Sequence, residues 1–174
     1  MKKIIFAAIA CSILCMICGC SDNSVQSRFT DGYVEKWFDY YHVSVFYDEV
    51  QTIKLAEFPN VVFHCDRSNV TAESGRYETV MFSGNPVDAV YLSDLTGDGL
   101  PEFCSMVCIG YGIIDERIIV YDYVSKTEYK LSDRFRSNYF LTLEDGSLIA
   151  TQVPFEGETV SGKLALLNGE LAME

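Results

Sequence analysis

The 174-residue chain reads as a mainly β protein, an antiparallel meander folded as a sandwich, a barrel or a propeller-like stack, with one short N-terminal helix. Two observations predict this. Short apolar runs rich in Val, Ile, Tyr and Phe recur from residue 52 to residue 173. Between them stand turn-forming pairs: Pro59-Asn60, Ser74-Gly75, Ser125-Lys126, Asp145-Gly146 and Asn168-Gly169. Asp-Gly and Asn-Gly accept the positive φ that two-residue hairpin turns require. Frequent turns between short strands favour neighbouring antiparallel strands over crossover connections. No sequence repeat of propeller period stands out, so a full propeller is not predicted.

The elements follow in chain order. Lys2 and Lys3 precede an apolar run over 4–17, interrupted only by Ser12. That run is shorter than the roughly 20 residues a membrane-spanning helix needs, and it has the charged-then-apolar layout of an export signal. It ends Ile17-Cys18-Gly19-Cys20, and polar residues follow. An aliphatic residue, two small residues and a cysteine make a lipobox, which predicts cleavage before Cys20 and lipidation of its thiol. Residues 1–19 are then a lipoprotein signal peptide, 20–29 a polar tether and 30–174 a single β-rich domain. Several acyl chains, each buried CH₂ contributing about 0.8 kcal/mol, make a durable anchor. The expected address is the extracytoplasmic face of the cell membrane, or the outer membrane if the source cell has one.

Thr30 or Asp31 caps the expected helix, which runs to about His42. It would place Tyr33, Trp37, Tyr40 and Tyr41 on one face,. Strands are expected at 52–55, 61–65, 70–72, 77–82, 89–92, 102–108, 117–123, 128–131, 139–143, 148–153, 163–167 and 170–173.

Removing residues 1–19 leaves 155 residues and takes away two lysines and no acids, so the formal charge moves from −12 to −14. Such a field repels phosphate backbones and argues against nucleic-acid binding. Cations and, through the lipid, a membrane are the natural partners, together with an envelope protein. Beside Cys20, the domain retains Cys65, Cys104 and Cys108. Cys104 and Cys108 sit four apart on one strand, roughly 13 Å at about 3.3 Å per residue, too far for a disulfide. Pairing of Cys65 with one of them stays open beside the reading of three buried thiols, and no zinc pattern is present.

One loop carries chemistry: Asp94-Leu95-Thr96-Gly97-Asp98-Gly99-Leu100-Pro101-Glu102. Calcium takes six to eight oxygens around a tight loop. With Asp94 first, oxygens fall at Asp94, Thr96, Asp98 and Glu102, the carbonyl of Leu100 stands seventh, and Gly99 holds the sharp-turn position. The twelfth position is Ser105 and the flanks are strands, so this is no EF-hand. The loop resembles the calcium hairpin of FG-GAP and integrin-type β repeats. The alternative is an Asp/Gly turn in which Asp94 and Asp98 bond backbone amides.

Further segments carry a second resemblance: Ile109-Gly110-Tyr111-Gly112, Arg117-Ile118-Ile119-Val120-Tyr121-Asp122, Tyr129-Lys130-Leu131 and, upstream, Trp37-Phe38-Asp39-Tyr40 and Glu57-Phe58-Pro59-Asn60. Over most of residues 37–169 the chain resembles a β-rich extracytoplasmic domain of Firmicute lipoproteins, also found as the C-terminal part of Bla-regulator-type membrane metallopeptidases. The resemblance implies a domain identity and no mechanism; the His-Glu-x-x-His peptidase motif is absent.

Gly110-Tyr111-Gly112 reads as a turn or bulge, not a nucleotide loop. Asp115, Arg117, Asp122, Asp133 and Arg134 suggest an ion-pair cluster. His42 and His64 lack the partners of nucleophilic catalysis. The expectation is a non-catalytic binding or sensor-accessory lipoprotein, calcium-stiffened at 94–102. An inhibitor or immunity-type lipoprotein, or an envelope hydrolase using Asp94, Asp98 or Glu102, are the alternatives.

Overall fold

The computed structural model describes residues 27–40, 50–110 and 114–174. The signal segment and Cys20 lie outside them, as do Tyr41, His42, Tyr111 and Gly112.

A 3-10 turn at Thr30–Gly32 leads into β1 (Val34–Asp39). Twelve strands follow: β2 (Gln51–Ile53), β3 (Val62–Cys65), β4 (Asn69–Ser74), β5 (Tyr77–Ser83), β6 (Val87–Ser93), β7 (Glu102–Ile109), β8 (Asp115–Asp122), β9 (Thr127–Leu131), β10 (Ser137–Glu144), β11 (Ser147–Pro154), β12 (Val160–Leu167) and β13 (Glu170–Met173). They form three antiparallel sheets in the orders β2-β3-β4-β5, β1-β6-β7-β8-β9 and β10-β11-β12-β13. Each run of four consecutive strands is an up-and-down meander, and β1 adds beside β6. Among the described residues no sheet closes into a barrel. The repetition is architectural, although the three meanders share no visible sequence repeat.

The middle sheet is covered on both faces. Phe103 and Val107 of β7, with Ile119 and Tyr121 of β8, pack against Phe63, Val70 and Phe82 of the first sheet. The alternate residues Cys104, Ile118 and Val120 pack against Tyr139, Leu141, Leu148 and Leu164 of the third. A strand buried on both faces needs apolar residues on both, which is why Ile118-Ile119-Val120-Tyr121 is continuous. The outer sheets have one wet face, so β3 and β4 alternate between buried and half-exposed positions, as do the first residues of β10,.

The expected helix over 30–42 is not formed in its described part, residues 30–40. Its place is taken by β1, which pairs with β6 from Val34↔Ser93 to Asp39↔Ala89. The register shifts between Lys36 and Phe38, so Trp37 is an extra, bulged residue,. The bulge turns two consecutive aromatics into one core: Phe38 is buried there and Trp37 packs edge-on against Phe103, 5.9 Å between ring centroids. Two consecutive inward residues break the alternation that marks a strand in the sequence,. Gly32 takes a φ of +78°, which also ends the turn before it can lengthen into a helix,.

The strands place their connections at two ends of the stack. One end carries the N-terminal turn, the 94–101 connection and the start of β11, which line a common cleft. Phe29, fully buried in the first core, and Ser27, hydrogen-bonded to Glu57, pin the entering chain there. The opposite end carries the β5–β6 turn, tied to Cys108 of β7 through Asn85, and the start of β8, whose Glu116 amide donates to Asn138 of β10.

Candidate functional site

The 94–101 connection joins β6 to β7, and its fold is set by two glycines. Gly97 and Gly99 take φ of +79° and +83°, a region that L side chains avoid,. These turns aim backbone amides at the loop's own carboxylates. Gly97 N donates to Asp94 Oδ1 at 2.6 Å and Gly99 N to Asp94 Oδ2 at 2.8 Å. Leu100 N donates to Asp98 Oδ1 at 2.8 Å. Glu102, the first residue of β7, reaches back: its Oε2 accepts from Leu95 N at 2.6 Å and Thr96 N at 3.2 Å, and its Oε1 from the Thr96 hydroxyl at 3.0 Å.

Glu102 is only 1% exposed. Burial is the dominant influence on its carboxyl and raises it to about 7; the hydrogen bonds from Leu95 and Thr96 pull in the other direction, and the nearby Asp94 charge raises it further,. The nearest carboxylate oxygens of Asp94, Asp98 and Glu102 all lie within 4.8 Å of one another. Opposed ligands around calcium stand about 5 Å apart, given metal–oxygen distances of about 2.3–2.6 Å, so this spacing accommodates one such ion. Of the five expected ligands, the structure therefore converges three carboxylates. Thr96 turns its hydroxyl onto Glu102, and Leu100 bonds Asp98 through its amide. The carboxylate–amide bonding anticipated for a plain Asp/Gly turn is present at both Asp94 and Asp98.

The other singled-out residues separate. Arg117 pairs with Asp115, but Asp122 sits at the far end of β8 and caps the next turn through Val124 and Ser125, while Arg134 lies over the Phe135 ring. The expected five-residue ion-pair cluster is thus not formed, because β8 holds Asp115 and Asp122 at opposite ends. His64, on the wet face of the first sheet, contacts Thr52 Oγ1 at 3.3 Å and Glu73 Oε2 at 3.2 Å. Cys65, Cys104 and Cys108 are free thiols. Cys65 faces the first core and Cys104 the second, so the middle sheet itself separates them.

Two features carried little sequence signal. Asp88, 5% exposed, is the extra residue of a bulge between Val87 and Ala89. Burial, then the charges of Glu116 and Asp39, push its carboxyl up to about 6. Phe135 and Phe155 stand exposed in loops at the end opposite the 94–102 loop; an aromatic between Arg134 and Arg136, and another after Pro154, were the available signs.

Comparison with protein-family models, with curated proteins and with solved structures returns no match.

Proposed function

We propose that this chain is an extracytoplasmic lipoprotein, held at the membrane through Cys20, that serves as a non-catalytic binding or sensor-accessory module and is stiffened by calcium in its 94–102 loop. The observation that carries the reading is where the loop's carboxylates are directed. Both oxygens of Asp94 and both of Glu102 are bound within their own loop, while the three carboxylates converge within 4.8 Å. A general base or nucleophile must reach a substrate atom; groups held this way instead fix a turn. A divalent ion among them would offset their mutual repulsion and hold Glu102 ionised. The formal charge of −12 favours cation capture,.

The anchor part rests on Lys2, Lys3, the apolar 4–17 run and the Ile17-Cys18-Gly19-Cys20 sequence. It is tested by palmitate labelling and detergent-phase partition. Label on the wild type and none on Cys20→Ser is expected; equal label on both refutes lipidation at Cys20.

The calcium part is tested by thermal melting at pH 8. At one hundred times Kd, calcium adds about 2.7 kcal/mol, or roughly 5–10 °C for a domain of this size. Asp98→Ala should abolish that gain. An unchanged melting temperature at millimolar calcium refutes the metal role.

A further inference from the structure

We propose that the cleft between Phe135 and Phe155 is a saccharide-binding site for a neutral, hydroxyl-rich glycan. The cleft has a volume of about 640 Å³, within the range of sites built for small ligands. Its two loops are tied together. Phe155 N donates to Arg136 O at 2.7 Å, and Arg136 N and Ser137 N both donate to Asp133 O at 2.8 Å. The floor is held in turn: Ser137 is 1% exposed, and its hydroxyl accepts from Gln152 Nε2 at 2.8 Å. The aromatic rings therefore stand on braced backbone, with Phe135 77% and Phe155 56% exposed.

The lining sets the class of ligand. Asp133, Arg136 and Glu156 border the cleft, and among the described residues their side chains make no hydrogen bond or ion pair. Donors and acceptors with unspent capacity beside two exposed aromatic rings, one of them carrying Arg134 over it, match a sugar ring, whose hydroxyls take hydrogen bonds while its C–H groups pack on aromatic side chains,. The core of a protein–protein contact is instead depleted in charged residues and closed to water. Opposite charges side by side in the cleft also give no preference for a polyanion.

Placement supplies the source of the glycan, and this clause rests on the lipoprotein reading. Ser27 stands seven positions beyond Cys20, at most about 25 Å of extended chain,. An anchored Cys20 holds the 94–102 end toward the bilayer and turns the Phe135–Phe155 end outward, where envelope polysaccharide lies.

The test uses the full chain in detergent, with an N-acetylglucosamine tetramer and maltotetraose as soluble probes and peptidoglycan sacculi as the insoluble one. Saturable binding of at least one probe is expected, insensitive to salt, and weakened about tenfold or more by Phe135→Ala or Phe155→Ala at unchanged melting temperature. Tyr77→Ala, an equally exposed aromatic at the other end, should leave it intact. No binding at millimolar probe overturns the proposal, as does binding that ignores both phenylalanine changes, or a tip that engages only a protein. Soluble probes need no anchor. Cys20→Ser that binds sugar but loses its lipid supports both ideas; wild type that is lipidated and binds no probe removes the glycan site alone.

Discussion

Replacing Glu102 by Gln separates the charge of the buried carboxylate from its shape. Glu102 is 1% exposed and accepts from Leu95 N, Thr96 N and Thr96 Oγ1. Its carboxyl rises from an ordinary 4.5 to about 7, chiefly through burial. The folded chain thus holds this proton more tightly than the unfolded chain does. The resulting stability is fully present below about pH 4.5 and is lost as pH rises through about 7. By pH 8 the buried charge costs on the order of 3 kcal/mol. Gln resembles the protonated acid: its carbonyl oxygen can accept from the two amides, and its NH₂ can donate to the Thr96 hydroxyl. Urea unfolding in chelator should place wild type and Glu102→Gln within about 1 kcal/mol at pH 5, the scale of one neutral hydrogen bond. At pH 8 the variant should be more stable by about 2–3 kcal/mol, or roughly 5–10 °C in Tm. Asp88 titrates in both proteins, so the difference between them isolates Glu102. Parallel stability curves from pH 5 to pH 8 would refute the assignment of the pH dependence to this carboxyl. Saturating calcium at pH 8 should stabilise the wild type and leave the variant unmoved, since an amide supplies no charge to the ion.

Two further expectations follow from the cores. Phe103 is fully buried and meets Phe63 at 4.6 Å and Trp37 at 5.9 Å between centroids; Phe103→Ala should cost about 3–5 kcal/mol by urea unfolding, and a loss under 1 kcal/mol would show that the first core does not depend on it. Burial raises all three thiols, but Cys65 and Cys104 are enclosed whereas Cys108 is only partly covered; thiol titration of the native protein should therefore modify Cys108 first of the three, with the other two reacting only on unfolding.

The order of strands was legible because local signals agree with the fold. Asp145 and Gly146 have φ of 47° and 77°, and Asn168 and Gly169 have 53° and 83°, the paired positive values their residue types favour,. The β10–β11 and β12–β13 hairpins follow directly. The expected strand at 170–173 matches β13 at both ends. The first element was misread because a bulge at Trp37 breaks the alternation that identifies a strand. The ion-pair expectation failed for a different reason: charged residues close in sequence were separated by the length of β8.

At the loop, the sequence determined which oxygens are available and that glycines allow a sharp turn. It could not decide whether they face solvent, a substrate or their own backbone; that depends on how β6 and β7 bring Glu102 back beneath Leu95 and Thr96. Residue types and turn pairs determined the strands and their succession, since these are properties of neighbouring residues. The stacking of three meanders, the burial of the middle one on both faces and the opposition of the 94–102 loop to the Phe135–Phe155 cleft were decided only by the tertiary structure, because each depends on contacts between segments far apart in the chain.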